Sequence, residues 1–472
     1  MPPTSPTPVN RDEAPVRERG DACPGALRLH AADDGRLARL RLPAGVLTHH
    51  QAEVLESAAE RLGDGHLDIT SRGNIQLRGL GESCGGQLAR VLYDAGLLPS
   101  EAHERIRNIV ASPLAGLDGR GAVGGQDQGR SSSHSVQLWS KELDELLCAS
   151  ATATALSGRF LFALDDGRGD VAALGADVTL LAQRYGTATL HIQTNPSGWR
   201  VSATDAARAA LVTAETFLTV AEAGGSGAWR VRELPAGHGL EAAVTARLAE
   251  AGIPAEREPA AARDPGPAAG PPAPGAVRSP DGTVALSVHA PLGRLSAAQW
   301  RLLRTAAADT AAAAKAGAGG AGITPSAPYG TLRVTPWRGV IVPALAPDTA
   351  DDLLHRLRTA GLVTDPASPW HGVGACTGRP GCAKALSDVR TDAARALRPP
   401  GGHLPPPDLP VHWSGCARRC GHPQGTSWVD VVATGEGTYD VSVDGDARTT
   451  AAGQELADAV AAARTTTPTK TR

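Results

Sequence analysis

Four of the seven cysteines lie in two short glycine-rich stretches toward the C-terminal end of the chain. The stretch GACTGRPGCAKA contains Cys376 and Cys382, and the stretch SGCARRCGHP contains Cys416 and Cys420. These C-x5-C and C-x3-C spacings differ from the short C-x2-C pairs that usually hold structural zinc. They suit a [4Fe–4S] cube, because its four thiolates must spread around a body larger than one metal ion. The pattern therefore predicts a [4Fe–4S] cluster on these thiols, with a single zinc ion or unbound thiols as the alternatives.

The three remaining cysteines are isolated from one another along the chain. Cys23, Cys84 and Cys148 have no second cysteine nearby. Because an isolated free cysteine usually behaves as a small apolar side chain, we expect these three to be buried and chemically inert.

Length and composition set limits on the class of protein. The chain has 472 residues, enough for two or three domains, and its formal net charge is −3. This balance does not favour nucleic acid as a partner. No apolar signal segment precedes the first charged residues, and no apolar run reaches the roughly 18 residues of a membrane span. The sequence thus predicts a cytoplasmic protein with reduced thiols and no membrane partner.

Two segments of the chain resemble each other and indicate an internal duplication. LPAGVLTHHQAEVLESAAE begins at Leu42, and APLGRLSAAQWRLLRTAAAD begins at Ala290. Each predicts a helix with a hydroxyl N-cap, at Thr48 and at Ser296. Strand-like runs follow, LDITSRGNIQLRGL and LRVTPWRGVIVPAL, in which Arg338 aligns with Arg72. The residues matched at one constant offset are Pro43 with Pro291, Gly45 with Gly293, Leu47 with Leu295, and Gln51 with Gln299.

The cysteine pattern and the arginine-bearing strand together resemble a known family. C-x5-C, about thirty residues and then C-x3-C is similar to the cluster pattern of the sirohaem-dependent sulfite and nitrite reductases. LDITSRGNIQLRG resembles their Thr-x-Arg-x-x-x-Gln strand, and RIRNIVASPLAG resembles their Arg-Asn segment. The resemblance covers most of residues 23–460. It implies an α+β fold, internally duplicated, with two ferredoxin-like half-domains and two mixed α/β domains about a pseudo-twofold axis.

This resemblance, together with the proline-rich and polar stretches, divides the chain into expected units. Residues 1–21 are polar and proline-containing, which predicts a disordered tail. The proline-rich stretch 257–282 predicts a linker, because proline disfavours helices and central strands. The expected domains are a first half-domain at 22–100, a first α/β domain at 101–256, a second half-domain at 283–364 and a cluster-binding α/β domain at 365–464.

Several details resemble one branch of the family, the precorrin-3B synthases of cobalamin biosynthesis. The stretches DACPGALRLHAADDGRLARLRLPAG, SGCARRCGHP and GRFLFALDDGRGDV are similar to that branch. The reductases place two basic residues on the last of these strands to hold sirohaem carboxylates. Here Arg159 stands at one such position and Leu161 at the other, which disfavours sirohaem.

The branch resemblance implies an O2-dependent monooxygenase. Its substrate would be precorrin-3A, hydroxylated at C20 with formation of a lactone, and NADH would be the ultimate source of electrons. A [4Fe–4S] cluster would relay those electrons to a mononuclear non-haem iron, with a separate reductase or a ferredoxin as the donor. The alternative is a sirohaem-dependent assimilatory sulfite or nitrite reductase.

Either reading requires side chains that bind the carboxylates of a tetrapyrrole. Arginine suits this task because its planar fork makes bidentate hydrogen bonds. On the strand 72–78 alternate polar residues share one face, which fits a ligand-binding face or a solvated one. The predicted binding residues are Arg72, Asn74, Gln76, Arg78, Arg107, Asn108 and Arg159.

The ligands of a mononuclear iron are sought among the histidines near the cysteine stretches. Imidazole suits such an iron, although a histidine is more often a surface or hydrogen-bonding residue. His422 is the first choice as a catalytic residue, because it follows Cys420 by two residues. The further candidates are His371, His403 and His412.

Overall fold

The computed structural model describes residues 24–120, 133–259, 270–317, 329–397, 409–424, 427–444 and 448–465. Cys23 and His403 lie outside these ranges. In chain order the strands are β1 (His30–Ala32), β2 (Gly35–Leu40), β3 (Val46–Thr48), β4 (His66–Ile69), β5 (Ile75–Leu80), β6 (Ile109–Ala111), β7 (Phe162–Asp165), β8 (Val178–Ala182), β9 (Thr187–Ile192), β10 (Gly198–Ser202), β11 (Glu256–Glu258), β12 (Gly275–Arg278), β13 (Val284–His289), β14 (Arg294–Ser296), β15 (Thr331–Val334), β16 (Gly339–Leu345), β17 (Val373–Ala375), β18 (Val411–Ser414), β19 (Val429–Gly435), β20 (Thr438–Val443) and β21 (Thr449–Ala452).

The α-helices of the described residues complete an α+β fold. They are α1 (His49–Leu62), α2 (Gly85–Asp94), α3 (Ser133–Ala149), α4 (Ala206–Ala223), α5 (Leu240–Glu250), α6 (Ala297–Gly317), α7 (Pro347–Thr359), α8 (Val389–Ala396) and α9 (Gly453–Arg464). No helix in this part of the chain is both long and apolar enough to cross a bilayer.

Two five-stranded sheets form the duplicated half-domains, and each sheet takes one strand from the other half. The first has the order β1-β2-β5-β4-β14, and the second has the matching order β12-β13-β16-β15-β3. Leu295 on β14 lies opposite Leu67, and Leu47 on β3 lies opposite Leu332. The predicted duplication is confirmed, and the reciprocal exchange of β3 and β14 joins the halves into one structure.

The two predicted N-caps are confirmed in matching detail. Thr48 accepts a hydrogen bond from the backbone N–H of Gln51 at 3.1 Å, and the Gln51 side chain accepts from the Thr48 N–H at 3.0 Å. Ser296 and Gln299 make the same pair of bonds at 3.2 and 2.9 Å. Each helix start therefore carries a reciprocal capping box, which satisfies two backbone donors that the first turn leaves open.

The turns that follow the helices show that Arg338 is not the counterpart of Arg72. In turn 70–74 the N–H of Gly73 donates to the Thr70 carbonyl at 3.1 Å, and in turn 335–339 the N–H of Arg338 donates to the Thr335 carbonyl at 3.1 Å. Gly73 and Arg338 also share a positive φ, 66° and 60°. Arg338 thus occupies the position of Gly73, and Trp337 occupies that of Arg72. The sequence alignment was wrong here because it matched the Arg-Gly residue types of the two segments rather than the hydrogen-bonded positions of their turns.

The two remaining sheets belong to the α/β domains and share one topology. The first has the order β11-β10-β9-β8-β7-β6, and the second has the order β17-β18-β19-β20-β21. In each, three neighbouring strands are parallel and the following ones are antiparallel. The mixed α/β domains expected from the family resemblance are confirmed.

Two short strands lie within the stretch 257–282 that was expected to be a linker. β11 extends to Glu258 at one edge of the first α/β sheet, and β12 starts the second half-domain sheet at its edge. Edge positions tolerate proline-rich neighbours, because one side of the strand needs no ladder hydrogen bonds.

Candidate functional site

The two cysteine stretches meet because the strands that precede them are parallel neighbours. In the β17–β18 pair, Val373 lies opposite Val411 and Ala375 lies opposite Trp413. Parallel strands bring their carboxyl ends to the same edge of a sheet, which is where open α/β sheets place their ligands. Cys376 directly follows β17, and Cys416 lies two residues beyond the end of β18.

The four thiols of this edge act on one another electrostatically. Burial raises the pKa of Cys376, whereas backbone N–H groups of Gly415 and Gly378 favour its thiolate. The Gly415 N–H lies 3.2 Å from the Cys376 sulfur. Burial and then the charges of Cys376, Cys416 and Cys382 raise the pKa of Cys420. The fold therefore brings together the four cysteines that the spacing singled out.

Close packing of glycines shapes the backbone around these thiols. A Cβ added to Gly415 would lie 2.7 Å from the Cβ of Ala385, and one added to Gly378 would lie 2.7 Å from a methyl group of Val389. Any larger residue at either position would push the loops apart, so the glycines predicted around the thiols are sterically required.

A cavity of about 400 Å³ lies beside the second cysteine stretch. Its wall combines the turn of the second half-domain with residues 370–374 and 409–412 and with residues that follow Cys420. The aromatic walls are Trp337 and Trp370. The polar lining residues are Ser71, Asp170, His289, Arg338, His371, His412 and Gln424.

His412 lines this cavity and has one buried imidazole nitrogen without a hydrogen-bond partner among the described residues. The residue is fully buried, and its Nε2 lies 3.0 Å from the carbonyl oxygen of Cys420. A carbonyl oxygen only accepts, so Nε2 carries the proton and Nδ1 keeps its lone pair. Nδ1 has no hydrogen-bond partner among the described residues. Burial, and then the charge of Arg338, lowers the pKa of His412 well below its usual value, so the ring is neutral.

Two further histidines of the cavity are also held neutral. Burial, and then the charge of His371, lowers the pKa of His289 to about 4. His289 directs Nε2 to the carbonyl oxygen of Pro272 at 3.0 Å, and its ring centroid lies 5.4 Å from that of His371. His422, the first choice from the sequence, stacks on Trp428 with centroids 5.2 Å apart and does not line the cavity.

Four of the seven predicted tetrapyrrole-binding residues gather around Gly158. Arg72 and Asn108 each donate to the Gly158 carbonyl, at 3.5 and 3.4 Å. Asn74 donates to the side-chain oxygen of Asn108 at 3.0 Å. Arg159 is exposed and lies over the Trp229 ring, 4.7 Å from its centroid.

The other three predicted residues lie apart and already have intramolecular partners. Arg78 makes two bonds of 2.8 Å to the Asp34 carboxylate and a third of 2.8 Å to the carbonyl of Gly381, in the first cysteine loop. Arg107 makes two bonds of 2.6 Å to Asp144. Gln76 accepts from Arg39 at 3.0 Å. The role of all seven in binding a tetrapyrrole stays a prediction.

The isolated cysteines within the described residues lie away from the site. Cys84 and Cys148 are half-buried rather than fully buried, and Cys84 packs against the core of the half-domains.

Comparison with known proteins shows which families the chain resembles. The model of the nitrite/sulfite reductase ferredoxin-like half domain matches residues 30–83 and 277–360, one match in each half. A precorrin-3B synthase of Sinorhizobium sp is 28% identical over 413 residues, which cover 86% of this chain and 79% of that protein. The solved structure of the Mycobacterium tuberculosis NirA protein superposes with a TM-score of 0.66, covering 90% of this chain and 79% of that one at 17% identity.

The chain is thus similar to nitrite and sulfite reductases in its two half-domains and in its fold. A ferredoxin–nitrite reductase of Leptolyngbya laminosa is 42% identical, but over only 84 residues, which cover 17% of this chain and 16% of that enzyme. Similarity to this reductase is thus confined to a short segment.

The cofactors expected in this family can be tested against the donor atoms of the site. No group of three histidine, cysteine, aspartate or glutamate side chains in the described part of the chain could hold one metal ion. The four cysteines nevertheless interact with one another. A [4Fe–4S] cube requires four thiolates spread around a body larger than one ion, and the four cysteines of the two loops are a donor set that would suit it.

The other two groups implied by the resemblance are a mononuclear iron and sirohaem. The ligands of a mononuclear iron stay a prediction, because no three candidate ligand side chains come together within the described residues. For sirohaem, the second basic position is Leu161, which is buried with Val110 and Trp337 in an apolar cluster. An apolar side chain there offers no hydrogen bond to a sirohaem carboxylate.

Most polar residues of the cavity were not identified as site residues from the sequence. Arg338 was noted only as a repeat counterpart, and Asp170 and His289 were not singled out. A signal for Asp170 was present in the sequence DDGRGD, because Asp165 accepts from the backbone N–H groups of Gly167 and Gly169 and so folds the loop that brings Asp170 to the cavity.

Proposed function

We propose that the chain is a precorrin-3B synthase, an O2-dependent monooxygenase of cobalamin biosynthesis. Its substrate would be precorrin-3A, hydroxylated at C20 and closed to a lactone by the ring A acetate. One oxygen atom of O2 enters the macrocycle and the other is reduced to water, with the electrons drawn ultimately from NADH through a separate reductase or a ferredoxin.

The observation that carries this proposal is the extent of the similarity. The match to the Sinorhizobium precorrin-3B synthase spans 86% of this chain, whereas the match to the Leptolyngbya nitrite reductase spans 17%. The buried Leu161 supports the same choice, since it takes the place of a basic residue suited to sirohaem.

The residues of the site would have separate tasks. Cys376, Cys382, Cys416 and Cys420 would hold the [4Fe–4S] cluster, which supplies single electrons when bound. The cavity would receive part of the macrocycle, between Trp337 and Trp370. Arg72 and Arg159 would hold carboxylates at its border, because Ser71, next to Arg72, lines the cavity. The ring A carboxylate is an internal nucleophile, so holding the macrocycle in place promotes the lactone step.

The second candidate is a sirohaem-dependent sulfite or nitrite reductase. It is favoured by the two matches to the nitrite/sulfite reductase ferredoxin-like half domain and by the 84-residue similarity to nitrite reductases. The two candidates differ in what they bind: a macrocycle is the substrate in one and the cofactor in the other.

Anaerobic purification followed by visible spectroscopy separates the candidates. A broad brown shoulder without macrocycle bands is expected for the proposed enzyme. Incubation with precorrin-3A, a reductant and isotopically labelled O2 should then give a product that carries one labelled oxygen atom. Tightly bound sirohaem together with sulfite or nitrite reduction, and no labelled product, would refute the proposal.

Variants of the Gly158 group test where the substrate binds. Arg72→Gln and Arg159→Gln should raise KM for precorrin-3A, because each removes one donor for a carboxylate. Arg301→Gln is the matched control, since Arg301 pairs with Glu56 and Glu60 on the outside of the paired helices. Equal KM values for the wild type and both site variants would place the carboxylates elsewhere.

A further inference from the structure

Arg338 holds a backbone conformation that side chains other than glycine rarely adopt. Its φ is 60°, and the equivalent position of the first half-domain is Gly73. A left-handed conformation at a residue with a Cβ is sterically unfavourable. Such a conformation persists only where the surrounding structure holds the residue in place. For Arg338 those constraints are the contacts of its side chain.

The guanidinium of Arg338 touches the backbone beside both cysteine loops. Its Nη2 donates to the carbonyl oxygen of Gly421, the residue after Cys420, at 2.7 Å. A Cβ added to Gly374, two residues before Cys376, would lie 2.0 Å from its Nη1. Arg338 belongs to the second half-domain, so one side chain from another domain bridges the two loops.

The space for this side chain is created by glycines on three sides. A Cβ on Gly293 would lie 2.5 Å from the Arg338 Cδ, and a Cβ on Gly421 would lie 2.9 Å from its Nη2. Together with Gly374, these residues leave the space that the arginine side chain occupies, because a Cβ added at any of the three would lie within 2.9 Å of one of its atoms.

The positive charge of Arg338 has no carboxylate partner of its own within the described residues. No ion pair to it lies within 4 Å in that part of the chain. The groups whose charges act on Arg338 are Arg390, Cys376 and Asp68. Asp68 already pairs with Arg390 at 2.8 Å and lies 3.7 Å from Arg294. Burial, and then the charge of Arg390, lowers the pKa of Arg338 to about 10, so the guanidinium remains charged at neutral pH.

We propose that Arg338 is a positioning residue that joins the two cysteine loops and, through its positive charge, raises the reduction potential of the cluster they hold. Reduction adds an electron to the cluster, and a nearby uncompensated cation favours the more negative state. The hydrogen bond to Gly421 keeps that cation at a fixed distance from Cys420. The proposal rests on the cluster of the proposed function, but on neither the substrate nor the oxygen reaction.

The test is a potentiometric titration of the anaerobically purified holoenzyme, followed by visible absorption, without tetrapyrrole or O2. Arg338→Gln removes the charge, Arg338→Lys keeps it, and Arg338→Gly restores the residue of the first turn. The cluster potential should become more negative in Arg338→Gln and Arg338→Gly. It should stay near that of the wild type in Arg338→Lys. Arg301→Gln, which removes an arginine already paired with Glu56, should leave the potential unchanged.

Iron content, measured on the same samples, separates the outcomes. Loss of iron from Arg338→Gln and Arg338→Gly, with iron retained in Arg338→Lys, supports the bridging role. A wild-type potential in Arg338→Gln would overturn the charge effect. So would an equal fall of the potential in Arg338→Lys and Arg338→Gln. Because no substrate is present, the result stands even if the enzyme proves to reduce sulfite or nitrite instead; a protein purified without any cluster would refute both proposals.

Discussion

Trp300 donates its indole N–H to the carbonyl oxygen of Ala52 at 2.8 Å, and the two residues hold equivalent positions in the duplicated helices. The offset of 248 residues between them is the offset that relates Pro43 to Pro291. Equivalent positions contact each other only where a twofold relation brings the same face of each copy together. The α1–α6 contact therefore lies at the pseudo-twofold axis of the half-domains.

Replacing Trp300 should weaken the joint between the two halves. The side chain is fully buried, so Trp300→Ala is expected to lower the free energy of unfolding by about 3–5 kcal/mol. Trp300→Phe keeps most of the apolar area and loses the hydrogen bond, with an expected cost of about 1–2 kcal/mol. Urea denaturation followed by circular dichroism measures both, and Tyr185→Ala at an exposed position is the control. A loss below about 0.5 kcal/mol for Trp300→Ala, which is the scatter of surface substitutions, would contradict the contribution of packing.

Removing one thiol should remove the cluster. Cys416→Ser replaces a thiolate by a hydroxyl that binds iron poorly, so the visible absorption and most of the iron are expected to be lost. Cys148→Ser is the matched control, because Cys148 lies on α3, away from the two loops. Iron and acid-labile sulfide analysis checks both variants. Full iron content in Cys416→Ser would show that this thiol is not a ligand.

The sequence predicted best those features that depend on residues close together in the chain. The capping boxes were predictable because Thr48 and Gln51 are three residues apart and a reciprocal bond needs only those two types. The convergence of the cysteines was predictable from spacing, although the parallel β17–β18 pair that causes it was not.

Features that depend on distant partners could not be predicted. The bidentate pair of Arg107 with Asp144 joins residues on different elements, and nothing in the RIRN segment indicates it. The repeat position of Arg338 was predicted wrongly for a related reason. Residue identity aligns Arg338 with Arg72, whereas the backbone hydrogen bonds and φ of the turn align it with Gly73. The exchange of β3 and β14 could not be predicted either, because it depends on which edge of each half-domain sheet is free to accept a further strand.

A methyl group at Gly415 should disturb cluster binding through packing alone. Its Cβ would lie 2.7 Å from the Ala385 Cβ, and neither atom can move without its backbone. Gly415→Ala is therefore expected to lower the iron content and the apparent Tm by several degrees. Gly86→Ala is the matched control, since an added Cβ on that α2 residue meets no atom within 4 Å. The control should be neutral or slightly stabilising, by up to about 1 kcal/mol. Equal iron content in the two variants would show that the loop tolerates the methyl group.

Asp170 should make the stability of the protein depend on pH near neutrality. Its Oδ1 accepts from the Ser112 hydroxyl at 2.6 Å, and the carboxyl lines the cavity. Burial, and then the charge of Asp165, raises the pKa of Asp170 to about 7. The Ser112 hydroxyl and the charge of Arg168 act in the opposite direction, and Asp166 adds to the rise.

The sign of the effect follows from which state binds the proton more tightly. An unfolded aspartate has a pKa near 3.9, so the folded state of Asp170 holds its proton over a range where the unfolded state has lost it. Stability from this group is full below about pH 4 and falls as the pH rises to about 7, by on the order of 1.4 kcal/mol per pH unit. Asp170→Asn cannot ionise and should escape this loss. Its apparent Tm relative to the wild type is therefore expected to be markedly higher at pH 8 than at pH 5, and a difference that is the same at both pH values would contradict the raised pKa.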